Sequence, residues 1–200
     1  MTVYYLIFET WKLKPGETVL WHAAAGGVGL IACQWASALD AVVYGTAGSD
    51  EKVALAKAHG AREAINYRTE DFPSRIRELT GDRGVDVVYD SVGQATFEKS
   101  LDCLRPRGLM VSFGNASGPV SIPNLGILAA KGSLYVTRPT SGAYFATTAE
   151  LRTAGAALFD AIGKGIVKVM INQRFGLEQV ADAHRAAEAR ETTGSTVLLP

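Results

Sequence analysis

The stretch TVLWHAAAGGVG, residues 18–29, constrains this chain more than any other, because it joins a strand, a glycine-bearing turn and a helix without a spare residue. Residues 18–23 are apolar with β-branched members and no breaker, which predicts a buried strand. Val28, Ile31, Ala32, Trp35, Ala36 and Leu39 then recur at helical spacing. Between them lies Ala24-x-Gly26-x-x-Gly29, with alanine where the usual dinucleotide fingerprint has its first glycine. A helix start carries unpaired N–H groups and the positive end of the helix dipole, so this turn is a place for a pyrophosphate. Gly26, Gly27, Val28 and Gly29 are the candidates to present backbone to it, with Gly29 also letting the helix pack close to the strand.

The same rhythm continues. Strands are expected at 41–46, 64–67, 85–90, 109–113 and 133–137. Helices are expected at 49–58, 72–79, 95–104 and 124–130, with Ser49 as an N-cap and residues 105–108 (RPRG) as a turn. Alternating strands and helices call for a parallel sheet with right-handed crossovers, here an α/β doubly wound, six-stranded Rossmann sheet. Residues 2–10 predict a helix with almost no polar face, which would need covering and hints at an earlier natural start. After Pro139 the rhythm changes: Thr147-x-x-Glu150 is a capping box for a helix to about 163, followed by a short strand at 166–169, a helix at 177–189 and a strand at 196–199. These late pieces show no βαβ context of their own. The expected division is 1–146 as a dinucleotide-binding domain and 147–200 as elements belonging partly to a second one.

Charge and cysteine content exclude several classes. Lys plus Arg number 20 and Asp plus Glu number 20, so nothing electrostatic argues for nucleic acid or an anionic membrane as a partner. Cys33 and Cys103 stand apart on apolar helical faces, which excludes a disulfide framework and a cysteine-rich zinc site. No apolar run approaches a membrane span and no signal peptide opens the chain, so a soluble cytoplasmic protein is expected. His22, His59 and His184 match no zinc signature and read as structural. Asp90 and Asp102 form no carboxylate pair, and Ser91 lacks a nucleophile elbow. No catalytic side chain is assigned.

The stretches HAAAGGVGLIACQWA, INYR, VVYDSVG, RGLMVSFGNASG, NLGILAAKGSLYVTRP and RETTGSTVLLP resemble the NADPH-dependent quinone oxidoreductases (zeta-crystallin-like). These form part of the zinc-independent branch of the medium-chain dehydrogenase/reductase superfamily. The resemblance covers essentially the whole chain, but the GroES-like catalytic domain that precedes this region in the family is missing. It implies an NADPH-binding fragment of an enzyme that transfers hydride to a quinone or similar conjugated carbonyl, poorly active alone. It also implies a homodimer joined through the edge strand at 133–137.

Cofactor selectivity is expected at the end of the second strand, where NAD sites usually place an acid and NADP sites supply a cation. Here Gly45-Thr46-Ala47-Gly48-Ser49 carries no acid, and Asp50 and Glu51 follow as helix-dipole partners. Gly48 and Ser49 are assigned to the cofactor by this position. The resemblance implies that Lys52, Tyr67 and Arg190 contact a 2′-phosphate. Ser91-Val92-Gly93, Phe113-Gly114-Asn115 and Thr137-Arg138-Pro139 end the later strands and would line the rest of the cofactor, with Val92 and Phe113 as apolar walls. Alternatives are an enoyl reductase of the same superfamily, an S-adenosylmethionine methyltransferase, which usually needs the missing acid, and a non-catalytic nucleotide-binding module.

Overall fold

The computed structural model describes all residues 1–200. It opens with one helical turn, α1 (Thr2–Tyr4), that widens into a π-helix over Tyr5–Thr10. The widening has a local reason. The Leu6 carbonyl accepts from Trp11 N and also from the buried Tyr89 hydroxyl, each at 3.2 Å. A carbonyl pulled toward two donors favours the looser i→i+5 turn.

The main body then alternates through β1 (Thr18–Trp21), α2 (Gly27–Ala38), β2 (Val42–Ala47), α3 (Asp50–Ala58), β3 (Glu63–Asn66), α4 (Phe72–Leu79), β4 (Val85–Asp90) and α5 (Phe97–Asp102). It closes with β5 (Leu104–Ser112), α6 (Gly126–Ala130) and β6 (Tyr135–Thr137). The strands form one parallel sheet in the order β3-β2-β1-β4-β5-β6, the doubly wound arrangement expected. Side chains alternate between its faces: Val19, Trp21, Val87 and Tyr89 join one apolar cluster, and Leu20, Val88 and Met110 join the other. Helices cover both faces, which is why these strands read as unbroken apolar runs.

Several boundaries differ from expectation. β1 stops at Trp21 because Ala23 takes a left-handed φ of 54° and turns the chain, and Gly26 N donates to Ala23 O at 3.0 Å. The helix expected at 95–104 covers only Phe97–Asp102, since Leu104 already pairs with Val85. The turn expected at 105–108 is a bulge within β5: the register jumps from Val85↔Leu104 to Val87↔Leu109, so those residues stand opposite Asp86 alone.

That bulge has a purpose. It lets Arg105 Nε reach Asp86 Oδ1 at 2.6 Å, beside Arg83 Nη2 at 2.7 Å. Thr18 donates to Oδ2 through its backbone N at 2.8 Å and its hydroxyl at 3.0 Å. One buried carboxylate thus ties β1, β4 and β5 together at the sheet rim where those strands begin.

After β6 come α7 (Ser141–Tyr144), which had no sequence signal, and α8 (Thr148–Gly163). The capping box is present as expected: Thr147 Oγ1 accepts from Glu150 N at 3.2 Å, and Glu150 Oε2 accepts from Thr147 N at 2.8 Å. α8 buries Ala154 and Ala161. No strand forms at 166–169. Gly165 ends α8 at φ 71°, Ile166 N and Val167 N both turn back to Ala161 O, and Val167 is buried as a plug in the core. The strand lies further on, as β7 (Ile171–Gly176), followed by a 3₁₀ turn over Leu177–Gln179, α9 (Val180–Glu188) and β8 (Ser195–Leu199). β7 and β8 pair in parallel, so these late elements do make a βαβ unit with its own two-stranded sheet.

Asp86 gives this fold a testable pH dependence. Burial alone would push its carboxyl up, but the hydrogen bonds from Arg83, Arg105 and Thr18 outweigh it and hold the group well below the usual carboxylate range. A carboxylate lowered in the folded state stabilises above the unfolded aspartate value, about pH 4, and loses that contribution as pH falls further. Asp86→Asn is expected to cost about 2 kcal/mol at pH 7 in urea unfolding. The gap to the parent should close below about pH 4; a gap unchanged from pH 7 to pH 3 would refute this role.

Candidate functional site

The turn between β1 and α2 is shaped by close approach. A Cβ on Gly29 would lie 2.6 Å from Ala24 O, so only glycine lets α2 press onto the end of β1. Alanine at 24, the departure from the fingerprint, is accommodated across the sheet: a Cβ on Gly45 would lie 2.7 Å from the Ala24 methyl. The missing first glycine has in effect moved to β2. Gly27 is also closely approached, since its Cβ would meet Gly194 O at 3.0 Å, where the chain entering β8 crosses the turn. A bridge between Gly26 and Gly194, with Gly194 N donating to Ala25 O at 3.0 Å, fastens the two segments. Gly26 itself meets only Ala23 O, at 3.3 Å, and it faces open space. It is the N-cap of α2, and no side chain caps that helix.

Gly26 forms one wall of a cavity of about 340 Å³ at the carboxyl ends of β1 to β4. The structure brings Gly26, Gly48, Lys52, Tyr67, Val92 and Arg190 together around this space, from five separate parts of the chain. Gly48 lies directly beneath Tyr67, whose hydroxyl rests 2.6 Å from where a Cβ would be. Ser49 does not line the cavity; its hydroxyl caps α3 by accepting from Lys52 N at 3.3 Å, and so orients the turn that carries Lys52. Lys52 Nζ donates to Arg190 O at 2.5 Å. Arg190 has a left-handed φ of 60° at the end of α9, the position where helices usually stop on glycine. Strain of this kind tends to persist where a side chain is needed in one place.

Charge in the cavity is lopsided. Lys52, Lys99 and Arg190 line it against a single acid, Glu70. Lys99 is paired with Asp71 at 3.1 Å, whereas Lys52 and Arg190 have no carboxylate partner. Asp50 is turned to Asn66, accepting from its Nδ2 at 2.7 Å. The space therefore suits an anion near β2 and β3.

Other expected site residues lie elsewhere. Gly27, Val28 and Gly29 sit behind Gly26, with Val28 pointing outward and Gly29 buried. Phe113 packs against Trp21, ring centroids 5.6 Å apart, on the core side of β5. Gly114 and Asn115 line a second cavity of about 270 Å³, beside Arg138, whose Nη1 donates to Ser112 O and Gly114 O at 2.9 Å.

Sequence reasoning missed several lining residues. Thr46, Phe72, Thr96 and Lys99 line the larger cavity, and so does His22. His22 was read as structural, and it is buried with both ring nitrogens bonded, to Thr46 Oγ1 and Ser100 Oγ, each at 2.8 Å. Burial lowers its pKa, against a smaller raising effect of Asp90. Asp90 shapes the loop after β4, accepting from Val92 N at 2.6 Å, Gly93 N at 3.1 Å and Thr96 Oγ1 at 2.7 Å. A threonine ending a strand could have been flagged from sequence; Phe72 and Lys99, on helices that fold back from the opposite face, could not.

Residues 27–157 match the family model described as zinc-binding dehydrogenase. A quinone oxidoreductase of Pseudomonas aeruginosa is 56% identical over 200 residues, and a 2-haloacrylate reductase of a Burkholderia species is 46% identical over 204. In both cases all of this chain is matched, against 62% and 60% of the relative. The crystal structure of Escherichia coli quinone oxidoreductase complexed with NADPH superimposes with a TM-score of 0.96 at 54% identity, covering 100% of this chain and 62% of that one. The chain thus spans about 62% of the length of such relatives.

The zinc in the family description finds no donor set in these residues. No group of three or more His, Cys, Asp or Glu side chains converges. Cys33 and Cys103 are buried in different apolar clusters, and burial pushes the Cys33 thiol up to about 12 and raises that of Cys103 as well.

The pairing of Ala24 with Gly45 can be tested directly. Gly45→Ala is expected to lower stability by about 1–3 kcal/mol through overpacking. Adding Ala24→Gly should recover part of that loss in thermal melts. A single variant that melts with the parent would refute the exchange.

Proposed function

Since the chain belongs to the zinc-binding dehydrogenase family, we propose that it is the NADPH-binding part of an oxidoreductase that passes hydride to a quinone or similar conjugated carbonyl. The observation that carries this reading is the cavity corner where Lys52, Tyr67 and Arg190 converge and the end of β2 offers no acid. A phosphate monoester carries close to two negative charges near neutral pH, so two unpaired cations and a phenol hydroxyl suit it and a carboxylate would repel it. The E. coli relative was crystallised with NADPH, which supports the same cofactor here.

Each part of the site then has a task. The exposed backbone of Gly26 and the start of α2 face the pyrophosphate, and Lys52, Tyr67 and Arg190 hold the 2′-phosphate. Val92 and Phe72 offer apolar surface to the adenine side. Gly114 and Asn115, in the loop after β5, lie on the side where the nicotinamide would extend, with Phe113 buttressing them from the core. When bound, the nicotinamide supplies the hydride; the chain's own residues orient the carrier and exclude water. No residue here takes a proton-transfer role, and no metal step is assigned to this chain.

We assign 1–146 to the cofactor domain and 147–200 to elements shared with the remainder of the protein. The quinone pocket lies largely outside these residues, so turnover by this chain alone should be poor. Two free, buried thiols suit a reducing cytoplasm. β6 is a three-residue edge strand whose Tyr135 is 59% exposed, a surface suited to pairing with a second copy. The 2-haloacrylate reductase among the relatives favours a second substrate reading, an alkene conjugated to a carboxylate.

Titration of cofactor fluorescence tests the proposal. Lys52→Ala and Arg190→Ala should each weaken NADPH binding by about 10- to 100-fold, the loss of one charge-assisted hydrogen bond or two, and leave NADH nearly unchanged. Equal losses for both cofactors would remove the 2′-phosphate assignment.

A further inference from the structure

A run of hydrogen bonds, buried at His22 and part-buried beyond it, leads from the end of β2 to the end of β4. It links Thr46, His22, Ser100, Thr96 and Asp90 in sequence. The directions follow from two groups that can only accept, the Asp90 carboxylate and, separately, the Thr96 backbone carbonyl. Asp90 only accepts, taking the Thr96 hydroxyl at 2.7 Å. Ser100, in α5, gives its single proton to Thr96 O one turn back, at 2.8 Å. Its oxygen can then only accept at His22, so Nε2 must carry the imidazole proton.

A neutral imidazole protonated at Nε2 has a bare Nδ1. The Thr46 hydroxyl, 2.8 Å away, therefore donates to it. Phe72 holds the ring in place from the side, edge to face at 5.2 Å. Thr46 and His22 are both among the residues lining the cavity although each is nearly fully buried, and the Thr46 hydroxyl there has its proton already committed to His22. What it has left are lone pairs.

We infer that Thr46 is a specificity-determining acceptor for a hydroxyl or amine donor on the adenosine half of the bound nucleotide, and that His22 is the positioning residue that fixes this polarity. The inference rests on the nucleotide reading above and deepens it. It explains how a site without an acid at the end of β2 can still accept a hydrogen bond there: a hydroxyl oriented from beneath supplies lone pairs without the negative charge that a neighbouring phosphate would oppose. A pocket built to accept from one donor discriminates against ligands that lack it, because its own polar atom is then left unpaired.

The test sets NADPH against two analogues, deamino-NADPH, which lacks the adenine amine, and a 3′-deoxyribose analogue, which lacks the ribose hydroxyl. Wild type is expected to bind NADPH about tenfold tighter than one of them, identifying the donor. Thr46→Val and His22→Gln should erase that gap, and Thr46→Ser should keep it. A variant that is merely destabilised would weaken all three ligands together and preserve their ratio. Nitrogen NMR of wild type should show His22 protonated at Nε2. Equal binding of all three nucleotides to wild type, a gap that survives Thr46→Val, or a proton on Nδ1 would each overturn the inference while NADPH binding stands. Failure of folded wild type to bind NADPH at all would overturn the functional reading beneath it.

Discussion

The contact between the start of α2 and the end of β1 is the constraint on which the rest of this structure depends. Gly29 has no room for a side chain against Ala24 O, and Gly45 has none against the Ala24 methyl. With the helix pressed that close, its uncapped amino end opens onto the carboxyl rim of the sheet and nowhere else. A parallel sheet covered on both faces leaves only that rim for a ligand. The cavity follows from the packing.

Two charged clusters then divide the work between the ends of the sheet. At the amino rim, Asp86 is fully engaged by Arg83, Arg105 and Thr18, and its role is to bind strands together. At the carboxyl rim, Lys52 and Arg190 meet no carboxylate, although Lys52 reaches the Arg190 carbonyl. Paired charge holds the scaffold; unpaired charge lines the cavity. The C-terminal βαβ unit belongs to both, since its Gly194 bridges to the turn between β1 and α2 and its Arg190 lines the cavity.

Beneath the cavity the polar groups form a chain of neighbours, each with one role. His22 is buried without a contacting acid, which keeps it neutral, and its two nitrogens face Thr46 and Ser100. Buried polar networks are tolerated when every member is satisfied, and then they fix orientation. The zinc of the family description has no counterpart among these residues, because the histidines and cysteines are committed to core and cap positions or stand alone on the surface.

Strand and helix order, the glycine-bearing turn between β1 and α2 and the absence of an acid after β2 were legible in the sequence, because each depends on residues near one another along the chain. The 3.6- and 2-residue periods, glycine next to a helix start and Thr147 with Glu150 are all local signals. Arg190 and Tyr67 as members of the site came only through family resemblance. Tertiary structure decided the rest. The bulge opposite Asp86, the plug made by Val167 instead of a strand, and the pairing of β7 with β8 depend on partners far away in sequence. So does the meeting of Lys52 with Arg190, separated by 138 residues. Periodicity reports which face of an element is buried. What it is buried against is settled only when the chain closes on itself, and the polarity of the His22 bonds is settled by that closure too.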